Sequence, residues 1–182
     1  MNQVCLALLR GINVTGYKII KMADLTELFK SLGHTQVSTY IQSGNVVFLP
    51  SPTSNPETIS VQIEQAIKER YQFEVSVLVF SSLEWQDILL NNPYNQPEII
   101  PPEKVYLTLL AEVPDQEKKV RLKEINFPPE EFQHIGRAVY VYCANGYGNT
   151  KLTNLLFEKQ LKTVATTRNW RTANKLMEMM QR

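Results

Sequence analysis

Three short stretches carry the side chains able to grip an anion. The first runs Arg10-Gly11-Ile12-Asn13-Val14-Thr15-Gly16-Tyr17-Lys18, with Lys21 just beyond it. Its glycines supply the positive φ of a turn. Arg10, Lys18 and Lys21 gather three cations beside loop amides, which is the composition of a phosphate or carboxylate nest. The glycine spacing approaches that of a nucleotide-binding P-loop, but that motif sets Lys directly after the second Gly and a hydroxyl next, on the first turn of a helix. Here Tyr17 holds the lysine position and Ile19 follows Lys18, so the stretch reads as a cation-flanked turn. The second stretch, Gly146-Tyr147-Gly148-Asn149-Thr150-Lys151, precedes the apolar residues Leu152, Leu155 and Leu156. Free amides at a helix start, with Lys151 beside them, suit a carboxylate or phosphate; the bland reading is a Gly-rich entry with Thr150 as N-cap. The third is Thr167-Arg168-Asn169-Trp170. Arg168 offers a planar fork of donors and Trp170 a ring for stacking, unless Trp170 closes the core while Asn169 caps a helix.

Other chemistries find no constellation. His34 and His134 are the two histidines, each remote from Cys, Asp or Glu at metal-ligand spacing, so no metal site is expected. His34 follows Gly33, where an imidazolium would suit the last carbonyls of a helix. A Ser/His/Asp or Cys/His triad would have to be assembled from scattered residues, and no paired-carboxylate motif stands out. Cys5 and Cys143 sit in apolar runs and read as small buried hydrophobes. No cofactor is expected. The net charge of +1 argues against long-range steering of nucleic acid by the whole molecule. Residues 1–90 hold six Lys/Arg against eight Asp/Glu, and residues 91–182 thirteen against ten. In the closing stretch Lys162, Arg168, Arg171, Lys175 and Arg182 face only Glu178. No basic start precedes Val4–Leu9, and no run approaches the roughly 20 apolar residues of a membrane helix, so a cytoplasmic protein with no membrane partner is expected.

The elements that must position these residues follow from periodicity. Val4–Leu9 is equally apolar on both faces, as in a strand covered on both sides. Met22, Leu25, Leu28, Phe29 and Leu32 recur at helical spacing and Gly33 ends them. Val37–Ile41 and Asn45–Leu49 read as strands joined at Ser43-Gly44. Asn55-Pro56-Glu57 opens a helix carrying Ile59, Ile63, Ala66 and Ile67, and Val75–Phe80 is a strand. This is the βαββαβ order of the ferredoxin-like fold. Ser81 with Glu84 reads as a capping box opening a short helix. Four prolines in 91–102 preclude helix and central strand. The second half repeats the order: a strand at 105–110, a charge-rich helix at 115–125, a hairpin turning on Gly136-Arg137, a helix after Thr150, a strand at 163–167 and a closing helix with Ala173, Leu176, Met177 and Met180. The fold class is therefore α+β: two ferredoxin-like (βαββαβ) subdomains with sheets covered on both faces, plus a C-terminal helix. The boundaries expected are 1–90, a Pro-rich linker at 91–102, and 103–182.

Leu8-Leu9-Arg10-Gly11-Ile12-Asn13-Val14, Thr39-Tyr40-Ile41-Gln42-Ser43-Gly44-Asn45-Val46 and Thr167-Arg168-Asn169-Trp170 together resemble an uncharacterised, mainly bacterial family of the DUF1697 type. Met22-Ala23-Asp24-Leu25 and Lys151-Leu152 extend the likeness. Thr15 and Thr150 depart from it, standing where members often have Gly and Ser. The resemblance implies a two-subdomain α+β protein with no established activity, and it singles out Arg10, Asn13, Gln42, Ser43, Asn45, Arg168 and Asn169. Polar residues in loops are better functional candidates than core residues.

The leading expectation is a binding site for an anionic ligand between the two halves: a nucleotide, a phosphorylated metabolite or a nucleic-acid segment. Arg10, Asn13, Lys21, Gln42, Ser43, Asn45, Lys151, Arg168, Asn169 and Trp170 are its candidate residues. The alternative is a non-catalytic interaction or regulatory module, with the motifs serving architecture and a homodimer as one form of partner. Whether the chain is an enzyme does not follow from its residues.

Overall fold

The computed structural model describes residues 3–55, 58–122 and 124–182. The chain divides into two compact units, Met1–Gln86 with Leu176–Arg182, and Asp87–Lys175. In chain order the first unit contains β1 (Cys5–Leu9), α1 (Met22–Ser31), β2 (Thr35–Tyr40), β3 (Asn45–Leu49), α2 (Ile59–Tyr71) and β4 (Val77–Ser81), and α3 (Ser82–Leu90) follows across the boundary. The sheet order is β2-β3-β1-β4 with every neighbour antiparallel, the ferredoxin-like arrangement.

Strand β1 is central because it is apolar throughout: Leu6, Ala7, Leu8 and Leu9 are all fully buried. On the helical face Ala7, Leu9, Val46 and Phe48 meet Leu25, Phe29, Ile63 and Ile67 of α1 and α2. The opposite face carries Leu6, Leu8, Val47, Leu78 and Phe80, also buried. Each such side chain contributes roughly 1.5–3 kcal/mol, so this strand fixes the register of the sheet. Helix α1 stops where the Gly33 N–H bonds the Lys30 carbonyl. The proline expected at the start of α2 lies outside the described residues; Thr58 occupies the N-cap position of that helix without a side-chain cap. Strand β4 begins at Val77, two residues later than expected, and Ser81 Oγ accepts from the Glu84 N–H at 3.2 Å.

His34 corrects one expectation. Instead of an imidazolium at the helix end, the ring is buried between Phe29 and Phe48. Its Nδ1 accepts the Ser51 N–H at 3.1 Å, and burial lowers its pKa. A ring nitrogen that accepts carries no proton, so the imidazole is neutral.

The second unit repeats the plan with β5 (Val105–Leu110), α4 (Gln116–Leu122), β6 (Glu131–Ile135), β7 (Ala138–Tyr142), α5 (Asn154–Leu161) and β8 (Ala165–Asn169). Its order is β6-β7-β5-β8, again antiparallel throughout. Leu110, Val139, Val141, Phe157 and Leu161 form the core under α4 and α5. Residues 91–101 form turns without helix or strand, and within them Tyr94 is buried, its ring 6.2 Å from Tyr142. Helix α6 (Trp170–Met180) ends the chain. No helix among the described residues is long and apolar enough to cross a membrane.

Candidate functional site

Strand β1 runs antiparallel to β3, so the loop leaving β1 and the turn entering β3 lie at the same end of the first sheet. The pairing Leu8↔Asn45 and the Leu9 N–H to Gly44 carbonyl bond at 2.8 Å fix that juxtaposition. The loop holding Arg10 and Asn13 and the turn holding Gln42, Ser43 and Asn45 are therefore neighbours. Lys21 joins them, because it follows Ile20, and Ile20 is held by Asn13.

The hydrogen bonds within this cluster show what each polar residue does. The Asn13 amide donates to the Gln42 carbonyl at 2.8 Å and the Ile20 carbonyl at 2.9 Å, while its oxygen accepts the Ile20 N–H at 2.8 Å. One side chain thus clamps both ends of the 13–20 loop and ties it to the β2–β3 turn. Asn45, fully buried, donates to the Tyr40 carbonyl and to Ser43 Oγ and closes that turn. Gly44 sits where no Cβ fits: one built there would stand 2.7 Å from Leu9 Cβ and 2.9 Å from Ile12 Cδ1. Asn13 and Asn45 are therefore scaffold, and Gln42 takes part through its backbone carbonyl. The cations remain at the rim. Arg10 is half-buried, Lys21 is exposed, and Lys18 is exposed with its Nζ donating to the Glu74 carbonyl at 2.6 Å.

Two features of this cluster were not anticipated. Non-glycine residues adopt the left-handed region at Asn13, Thr15, Lys18 and Ile41; for branched Thr15 and Ile41 that conformation carries strain. Large apolar side chains also stand in solvent: Tyr17 is 75% exposed, and Val14, Ile19 and Ile41 each about half. The alternation of apolar and charged residues over 14–21 held that signal, but an eye for cations alone passes over it.

The second-unit candidates separate. The Gly146–Lys151 stretch does not start a helix. It forms a 3-10 turn at Tyr147–Asn149, and α5 begins later with Thr153 as N-cap, accepting the Leu156 N–H. The Tyr147 ring stacks on Tyr106 at 4.7 Å, so the loop is anchored as packing. Thr150, expected as the cap, accepts the Leu152 N–H and donates to the buried Glu130 carboxylate. Lys151 accordingly lies at no helix terminus; its ammonium sits 5.3 Å over the Phe127 ring. Asn169 does cap α6, its Oδ1 accepting the Thr172 N–H at 2.7 Å, and Trp170 is buried as the first residue of that helix. Arg168 is buried too, donating to Thr166 Oγ1 and the Thr167 carbonyl. Desolvation lowers its pKa to about 10, so the guanidinium stays charged at neutral pH.

A groove of the second unit involves none of these residues. It lies between α4 and β6, lined by Gln116, Lys119, Leu122, Ile125, Phe132 and His134. Among the described residues no three His, Cys, Asp or Glu side chains come together as a metal site. Burial raises the pKa of both Cys5 and Cys143 to about 11, so neither thiol is ionised at neutral pH.

In its architecture the chain is similar to the conserved bacterial protein SP0830 from Streptococcus pneumoniae, at a TM-score of 0.79 and 21% identity over 99% of both chains. At that identity the likeness establishes the fold. No curated protein matches the sequence. A family model described as a protein of unknown function, DUF1697, matches residues 1–140, from the first strand into β7, and the chain belongs to that family.

Proposed function

We propose that the first unit binds a phosphate-bearing ligand at the β1–α1 loop and β2–β3 turn, with Arg10, Lys18 and Lys21 supplying positive charge and Tyr17 a ring face. The observation carrying this reading is the Asn13 clamp, which holds loop and turn together through three hydrogen bonds of 2.8–2.9 Å. A preorganised cationic loop loses little conformational freedom on binding, and an exposed aromatic beside cations suits a nucleotide, whose base stacks while its phosphate is paired. The screen is a thermal-shift series with AMP, ribose 5-phosphate, inorganic phosphate and a short oligonucleotide. A ligand that binds the folded chain raises its melting temperature by mass action. AMP is expected to act most strongly, Tyr17→Ala to reduce it to the level of ribose 5-phosphate, and Lys21→Ala to weaken every ligand by about tenfold. Silence from all four probes would end the reading.

The exposed apolar side chains favour a second reading, an interaction surface for another protein or a second copy of the chain. It predicts silence in that screen together with a concentration-dependent increase in sedimentation coefficient that Ile41→Asp abolishes.

A further inference from the structure

The groove between α4 and β6 has a volume of about 500 Å³, inside the range of roughly 300–1,000 Å³ typical of small-ligand sites. Its floor is apolar, made by Leu122 and Ile125 with the Phe132 ring, and its rim is polar, made by Gln116, Lys119 and His134. Phe132 and His134 are alternate residues of β6, so both belong to one face of that edge strand. The rim's charge is set by pairing along α4. Lys118 is 3.0 Å from Asp115 and Arg121 is 2.5 Å from Glu117. Lys119, between them, has no carboxylate partner among the described residues. His134 adds no charge. Its Nε2 lies 2.9 Å from the Gly136 carbonyl, which can only accept, so that nitrogen bears the proton. Burial, with the nearby Lys119 charge, keeps the ring's pKa below its ordinary value although the Gly136 bond opposes the shift. Among the described residues the groove therefore offers one positive charge and an amide above a hydrocarbon floor.

We infer that this groove binds a small amphipathic monocarboxylate, its hydrocarbon body on Leu122, Ile125 and Phe132 and its carboxylate held by the Lys119 ammonium and the Gln116 amide. A phosphate dianion fits poorly, since it demands more charge and donors than the described rim residues supply and leaves the floor uncovered. This site is independent of the loop cluster in the first unit.

Octanoate and octan-1-ol, titrated into the full chain by calorimetry and by 15N-resolved NMR, test it. Octanoate is expected to bind saturably with amide shifts concentrated in residues 116–134, and octanol about tenfold more weakly. Lys119→Ala should cost octanoate about that factor and leave octanol unchanged, while Lys119→Arg retains binding. Lys119 is partly exposed on its helix, so the variant's fold can be checked by overlaying the remaining amide spectrum. No saturable octanoate binding, equal affinities for acid and alcohol in the unmodified chain, or octanoate binding untouched by Lys119→Ala would each overturn the inference.

Discussion

Replacing Asn13 by Ala removes the clamp while leaving every cation of the cluster in the chain. Three hydrogen bonds disappear, to the Ile20 and Gln42 carbonyls and from the Ile20 N–H. Each is worth about 1 kcal/mol net, and Ile20, only 1% exposed, is left with a donor that water reaches poorly. Position 13 also has φ 55°, a conformation Asn tolerates better than Ala. The expected loss is about 3–4 kcal/mol, a large part of an ordinary domain's stability. The readout is urea unfolding followed by tryptophan fluorescence in a Trp170→Phe background, where Trp85, fully buried in the first unit, is the remaining reporter. Asn13→Asp sharpens the test. It keeps an acceptor for the Ile20 N–H but turns a carboxylate oxygen toward two carbonyls that stood 2.8 and 2.9 Å from the amide nitrogen. That geometry raises the new carboxyl's pKa in the folded state, so its deficit is full above the folded-state pKa and shrinks as pH falls through it toward the unfolded value near 3.9. A loss under about 0.5 kcal/mol for Asn13→Ala, within surface-substitution noise, would refute the clamp and remove the support for a preorganised loop.

Gly44→Ala should cost about 2–4 kcal/mol, from left-handed strain at φ +75° plus a Cβ driven against Leu9 and Ile12. Gly136→Ala, with φ +59° and nothing within 4 Å, should cost only the strain, about 1 kcal/mol; equal urea midpoints for the two would contradict the packing account. Burial lowers the pKa of both His34 and His134, so the unfolded chain binds these protons more tightly. Stability is therefore full above about pH 6.5 and declines as pH falls from there to the folded-state values, where it levels off. A His34→Gln/His134→Gln chain should show a flatter dependence in that window, and an unchanged slope in urea midpoints would count against neutral histidines. With both thiols pushed from 9.0 to about 11, the thiolate fraction falls about a hundredfold at neutral pH. Iodoacetamide should label Cys5 and Cys143 slowly until urea unfolds the chain, as followed by intact mass.

Local signals in the sequence sufficed for the sheets and most helices. The two-faced run at Leu6–Leu9 gives the central strand, the stripe Leu25-Leu28-Phe29 gives α1, and Gly136-Arg137 gives the tight hairpin, because each depends on neighbours a few residues apart. The loop cluster was legible as a set of polar residues and not in its wiring. Asn13 and Gln42 are 29 residues apart, and nothing in either residue announces that one amide will bind the other's carbonyl and so act as scaffold rather than as ligand donor. At Thr150 and Thr153 two hydroxyls compete for the cap of α5, and the packing of Tyr147 on Tyr106 decides between them by holding the Gly-rich loop short of the helix. The α4–β6 groove was invisible because its polar rim combines a helix and an edge strand. Among the described residues its distinguishing mark is a lysine without the acid partner that its neighbours have.

The two units allow the loop cluster to be judged against an internal standard. The Leu9 N–H bonds the Gly44 carbonyl and the Arg10 N–H bonds Ser76; at the corresponding places the Leu110 N–H bonds Arg137 and the Ala111 N–H bonds Val164, all at 2.8–2.9 Å. Leu9 and Leu110 are thus equivalent, and so are Arg10 and Ala111. From those points the second unit reaches its helix through residues 111–115 and turns its hairpin on 136–137, whereas the first needs 10–21 and 41–44. The fold is satisfied by the shorter connections, so the additional chain in the first unit is not a requirement of topology. That additional chain holds Asn13, Thr15, Lys18 and Ile41 in the left-handed region, at a cost of order 1 kcal/mol or more for each branched residue. It also holds exposed Tyr17 and the cation Lys21. Length and strain that the fold does not require are thus concentrated where charge and an aromatic ring meet solvent, and it is this loop that the proposed ligand would engage.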